Sequence, residues 1–189
     1  MKFLYINIES TNKEYLPFFI EVFSPVINIV KYQIENNELV IYFDYAEEEI
    51  LEVTESLVQD LYFNFNIFES IKYIDLSEAE KKYTLFKKIL SKHPIKNLYN
   101  NSKTILFDYR NNIDDNMKQF ILNEYYQNDE MKKTIITFLE NNQNISLAAK
   151  ELFLHRNTLT QRLDKFYRIT SFDLKQFKDA YLIYTLINK

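Results

Sequence analysis

Glycine is absent from this 189-residue chain, and that alone removes two classes of function. A phosphate-cradling loop and the dinucleotide-binding fingerprint both bring a ligand against bare backbone, which any side chain blocks. Turns that need a left-handed residue must then use a tolerant substitute, and asparagine is the best available. Asn36-Asn37 between two β-like runs and Asn141-Asn142 after a helical run are the expected cases. Cysteine is absent as well, which excludes disulfides, thiolate metal sites and a cysteine nucleophile. Only two histidines occur, His93 and His155, too far apart in sequence to suggest a histidine metal centre. No apolar run reaches the length of a membrane span, and the first residues lack the basic flank and apolar core of a signal peptide. The expectation is a cytoplasmic protein with no membrane association, no metal and no cofactor.

What is present is distributed unevenly. The net charge is −4, which taken alone argues against nucleic acid. From Met131 to Lys189, however, ten Lys and Arg face five Asp and Glu, a net of +5. From Met1 to Glu130 the balance is thirteen against twenty-two, a net of −9. A basic module joined to an acidic one is the footprint of a DNA-binding part with a separate sensor or partner part. The acidic part also repels phosphate and so weakens non-specific binding. The 15 Tyr and 16 Phe can stack on single-stranded bases. Clusters such as Leu61, Phe63, Phe65 and Phe68 instead read as core.

The first 130 residues alternate strand and helix signals. Strands are expected at residues 2–8, 27–34, 39–43, 71–75 and 104–107, and helices at 12–23, 47–63, 77–91 and 113–126. The second and third strands should form a hairpin at Asn36-Asn37. The first six elements run β-α-β-β-α-β, the ferredoxin-like plan. Asp44 with Glu47, Glu48 and Glu49 is either a divalent-cation site at a strand end or a solvated first helical turn favoured by the helix dipole. No phosphate-binding loop accompanies it, so the second reading is preferred. The expected fold class is α+β: residues 1–128 form an acidic, mixed α/β regulatory or dimerisation domain, and residues 129–189 form a basic all-α domain.

The segment that speaks of function runs from Asn144 to Leu163. Ser146 is placed to cap a short helix. Ala148 and Ala149 allow a second helix to cross closely, and Leu152 closes the apolar face. Leu159, Leu163 and Phe166 recur at helical spacing and form the buried stripe of the second helix. Asn157, Gln161, Asp164 and Arg168 then point the opposite way. Apolar behind and hydrogen-bonding in front is the build of a recognition helix. Residues 174–187 form a last helix whose Phe177, Ala180, Tyr181, Tyr184 and Ile187 are expected to pack behind it, with any surplus left for a dimer contact.

The string Leu152-Phe153-Leu154-His155-Arg156-Asn157-Thr158-Leu159, followed by Arg162-Leu163, resembles the Fis-type helix-turn-helix. It is closer still to the C-terminal domain of PucR-type regulators, the purine-catabolism and sugar-diacid regulators. Similarity continues upstream through Phe138-Leu139-Glu140-Asn141 and downstream through Ile169-Thr170 and Asp173-Leu174. Two positions depart from that pattern: Thr160 stands where a basic residue is common, and Ser171 where Gly is common.

The resemblance implies a bacterial transcription regulator that binds double-stranded DNA as a homodimer, with no enzyme activity and with a small-molecule or protein effector at the N-terminal domain. Asn157, Thr160 and Gln161 are the base-edge candidates, since Asn and Gln pair bidentately with adenine and Thr can touch a thymine methyl. Ser146, Arg156, Thr158, Arg162 and Lys165 are the backbone candidates. His155 is expected to cap the recognition helix or pack in the turn before it, and Asp164 to pair with Arg168 or to sit past the end of the groove contact. The alternative is an adaptor that uses a helix-turn-helix for protein contact.

Overall fold

The computed structural model describes residues Met1–Lys189, which divide into two compact units, Met1–Ser102 and Lys103–Lys189. Residues 103–128, which the sequence alone groups with the N-terminal part, lie in the second unit.

The first unit is built on a five-stranded sheet. Its strands are β1 (Lys2–Ile8), β2 (Ile27–Glu35), β3 (Glu38–Ala46), β4 (Phe65–Glu69) and β5 (Tyr99–Asn100), in the order β2-β3-β1-β4-β5. The helices are α1 (Leu16–Phe23), α2 (Ile50–Asp60) and α3 (Leu76–Leu90). β1 through β4 pair antiparallel, and β5 joins β4 in parallel. This is the ferredoxin-like plan expected from element order, with β1 central. Alternation along β1 explains its two covered faces. Leu4, Ile6 and Ile8 enter a core with Leu16, Phe19 and Phe23 of α1 and Ile50 and Leu57 of α2. Phe3 and Tyr5 point the other way, where Phe86 of α3 lies 5.7 and 5.5 Å from their rings and stacks on Phe68 at 4.1 Å.

The hairpin forms where Asn36-Asn37 placed it: Asn36 adopts φ 55° and Glu35 pairs with Glu38. Four expected boundaries differ. A 3-10 turn at Ser10–Tyr15 precedes α1, broken at Asn12 (φ −115°), with Pro17 in the first turn of the helix proper. α2 is shorter than 47–63 because Glu47 N–H is tied to the Val26 carbonyl at 2.8 Å and Leu61 is extended. The fourth strand is 65–69, not 71–75. Phe65, Ile67 and Phe68 are buried there, whereas Tyr73 is held in a loop by Met1. Residues 104–107 are not a strand. They belong to helix α4 (Ser102–Asp108), and the fifth strand is the short β5, anchored by Asn100 Nδ2 donating to the Ile67 carbonyl at 3.0 Å.

The second unit is helical: α5 (Asp115–Leu122), a 3-10 turn at Asn123–Tyr125, α6 (Asp129–Glu140), α7 (Ile145–Glu151), α8 (Arg156–Thr170) and α9 (Phe177–Asn188), together with α4 from Lys103 onward. The α5 and α6 N-termini are capped by Asp114 and Asn128, whose side chains accept from the amides of Met117 and Met131. No helix of the molecule is long and apolar enough to cross a membrane.

Candidate nucleic-acid interface

α7 and α8 form the helix-turn-helix. The cap of α7 is Asn144, not Ser146: Asn144 Oδ1 accepts from the amides of Ser146 and Leu147 at 3.0 and 3.1 Å. Ser146 sits one position inside the helix start, exposed. Asparagine is at least as good a cap as serine, and its longer arm reaches both open N–H groups here. Asn144→Ala should cost the unit about 1 kcal/mol, read as a lower midpoint in a urea melt, while Ser146→Ala should change it little.

The turn between the helices is a Schellman closure. Leu154 N–H donates to the Ala149 carbonyl at 2.8 Å and Phe153 N–H to Lys150 at 3.2 Å. The residue at its left-handed position is Phe153, at φ 55° and 96% exposed. The same closure ends α6, with Gln143 donating to Phe138 and Asn142 to Leu139, and with φ of 53° at Asn142 and 61° at Gln143. α8 exits through Ser171 at φ 63°, whose N–H donates to the Tyr167 carbonyl at 2.7 Å. Lacking glycine, the chain puts side chains where αL geometry is required.

His155 caps α8, as expected: its Nδ1 accepts from the Asn157 amide at 3.2 Å. Leu159, Leu163, Phe166 and Thr170 are buried along one side of α8, and Ala148 and Ala149 are buried where α7 crosses it. On the opposite side Arg156, Asn157, Thr158, Gln161, Asp164 and Arg168 are exposed. Thr160 is half-buried, and its hydroxyl donates to the Arg156 carbonyl at 3.1 Å.

The cations of α8 fall into two groups. Arg162 reaches Glu130 at 2.6 Å and donates to the Thr134 hydroxyl at 3.3 Å; Lys165 pairs with Glu124 at 3.0 Å. Arg156 and Arg168 form no salt bridge. Asp164 pairs with Lys175 at 2.8 Å rather than with Arg168, because Lys175 lies in the turn that follows α8 and reaches back along it. Arg168 therefore stays exposed and without a salt bridge on the stripe of Asn157 and Gln161, where its spacing put it, and is not the partner of Asp164. Behind the helix, Tyr125 packs on Phe166 at 5.4 Å between ring centres, and burial, with Glu124 nearby, pushes its phenol up to about 12.

The last helix differs from expectation. α9 packs on α6, and its buried residues are Asp179, Ala180, Leu182, Ile183 and Leu186. Asp179 Oδ2 accepts from Lys103 Nζ at 2.6 Å and from the Asp173 amide at 2.8 Å. That anchor rotates Phe177, Tyr181 and Tyr184 outward, where they line an open groove with Leu139 and Gln143.

Comparison with known proteins agrees with this geometry. Residues 131–187 match the family model for the PucR C-terminal helix-turn-helix domain. Over 55 residues, 29% of this chain and 18% of the relative, the sequence is 51% identical to the uncharacterized protein YxkF of Bacillus subtilis (strain 168). It is 28% identical over 128 residues, 62% of this chain and 30% of the relative, to the DNA-binding transcriptional activator AdeR of the same organism. It is 33% identical over 60 residues, 32% of this chain and 16% of the relative, to the carbohydrate diacid regulator of Escherichia coli (strain K12). The chain thus spans less than a third of the length of each of these relatives. Over residues 131–187, then, the chain is similar to the C-terminal helix-turn-helix domain of PucR-type regulators.

Proposed function

We propose that this chain is a sequence-specific, dimeric DNA-binding regulator of transcription, with α8 lying in the major groove. The observation that carries the reading is the exposed, hydrogen-bonding stripe of α8 held on a buried apolar one, within the matched domain. Asn157, Thr160 and Gln161 read base edges. Ser146, Arg156, Thr158, Arg162 and Lys165 hold the phosphates, and Arg168 joins them. Arg156 and Arg168 meet phosphate directly, whereas Arg162 and Lys165 must loosen their hold on Glu130 and Glu124 to do so. The N-terminal unit senses an effector or joins two chains. AdeR and the carbohydrate diacid regulator are named as regulators of transcription and of carbohydrate diacids, and the same role is assigned here by that likeness.

The test is selection of duplexes from a random pool by the full chain, followed by affinity against salt. Enrichment of a palindrome is expected, with log K falling by about 0.9 per log unit of salt for each phosphate neutralised. No enrichment together with no salt dependence would reject the reading and favour an adaptor.

A further inference from the structure

β2 is a margin of the N-terminal sheet: β3 pairs with one side of it and nothing pairs with the other. A long exposed margin is a template for another strand, and proteins usually blunt it with proline, charges, β-bulges or a covering element. β2 spans nine residues without proline. Its register against β3 shifts twice, between Ile27 and Ile29 and between Ile29 and Lys31, which blunts the first half of the margin, but from Lys31 to Glu35 the pairing is regular. Tyr32 and Ile34 share a sheet face with their buried partners Ile41 and Leu39, yet are 52% and 44% exposed.

The regular stretch Lys31-Tyr32-Gln33-Ile34-Glu35 is complementary to itself when run antiparallel. With a two-fold axis at Gln33, Lys31 faces Glu35 of the second copy, Tyr32 faces Ile34, and both matches recur across the axis. Each match falls on one side of the sheet, as the period of two requires. Moving the axis to Tyr32 sets Glu35 against Ile29, and moving it to Lys31 sets two ammonium groups together. Glu35 forms no salt bridge within the chain and sits across from another carboxylate, Glu38. Lys31 bridges only Glu80, at 2.6 Å on a half-exposed site.

We propose that two copies of this chain associate by antiparallel pairing of β2 with β2, with Gln33 on the two-fold axis, so that two five-stranded sheets become one. The inference names the interface for the dimer in the preceding reading and does not depend on DNA binding.

The experiment uses the full chain without DNA. Because the chain has no cysteine, Gln33→Cys supplies a single thiol, set opposite its own copy with Cβ atoms about 4.5–5.5 Å apart. Mild oxidation should give a covalent dimer. Tyr32→Cys and Ile34→Cys should cross-link when mixed, and neither should do so alone. In a Glu80→Gln background, which removes the intrachain partner of Lys31, Glu35→Lys should weaken self-association in sedimentation equilibrium about tenfold, and adding Lys31→Glu should restore it. Circular dichroism checks that each variant is folded. A monomer at every concentration overturns the proposal, as does a dimer that neither cross-links at residue 33 nor responds to Glu35→Lys. A monomer that still binds its selected duplex would overturn the interface and the dimer while leaving DNA binding standing; a cross-linked dimer that ignores every duplex would overturn the DNA reading alone.

Discussion

Phe166→Ala should destabilise the C-terminal unit by about 3–5 kcal/mol, among the largest losses expected from a single change in that unit. Phe166 is fully buried, lies on the inner stripe of α8 between Leu163 and Thr170, and packs its ring on Tyr125. Truncation removes the transfer energy of the ring and leaves a cavity that two crossing helices cannot close. A domain stable by about 5–15 kcal/mol loses a large share of its margin. The neighbouring Tyr167 is 51% exposed, and Tyr167→Ala should stay within about 0.5 kcal/mol. Urea melts of both variants, followed by circular dichroism, make the comparison. Equal losses from the two would contradict the assigned face of α8.

The second large effect concerns affinity rather than stability. Gln161→Ala should cost about 1–3 kcal/mol on the selected duplex and little on random sequence, as expected for a bidentate contact to one base. Arg156→Ala should weaken binding to all sequences alike and flatten the salt slope by about 1. Both side chains are exposed and neither caps nor fills anything, so both variants should melt like the parent. Combining them separates the two functional readings. A regulator loses its duplex, whereas an adaptor keeps its DNA indifference and loses a protein partner.

The helix-turn-helix was the most legible part of the chain, because its evidence is local. The buried spacing of Leu159, Leu163 and Phe166, the cap at His155 and the outward line of Asn157 and Gln161 all follow from helical periodicity. The ferredoxin-like order was legible as well, since Asn36-Asn37 marks its hairpin and the alternation of β1 marks its centre.

Non-local effects were not legible. Residues 71–75 and 104–107 have strand-like composition, but a strand exists only where a neighbour pairs with it, and β1 and β4 selected 65–69 and 99–100. The pairing of Arg162 and Lys165 with Glu130 and Glu124 joins residues more than thirty positions apart along the chain, and no periodicity reports such a contact. The outward aromatic face of α9 was hidden for a related reason. Hydrophobicity alone favours Phe177, Tyr181 and Tyr184 as core, whereas the buried carboxylate of Asp179, held by Lys103 and the Asp173 amide, turns that face outward.

The left-handed turns also affect how the protein ages. Asparagine degrades fastest when glycine follows it, because the bare backbone nitrogen then attacks the side-chain amide and closes a succinimide ring. Hairpins commonly carry that very pair. Here Asn36 is followed by Asn37, Asn123 by Glu124 and Asn142 by Gln143, so at each asparagine of positive φ a side chain shields the nitrogen that would attack. At these positions the geometry of a glycine turn is kept without its usual chemical weak point.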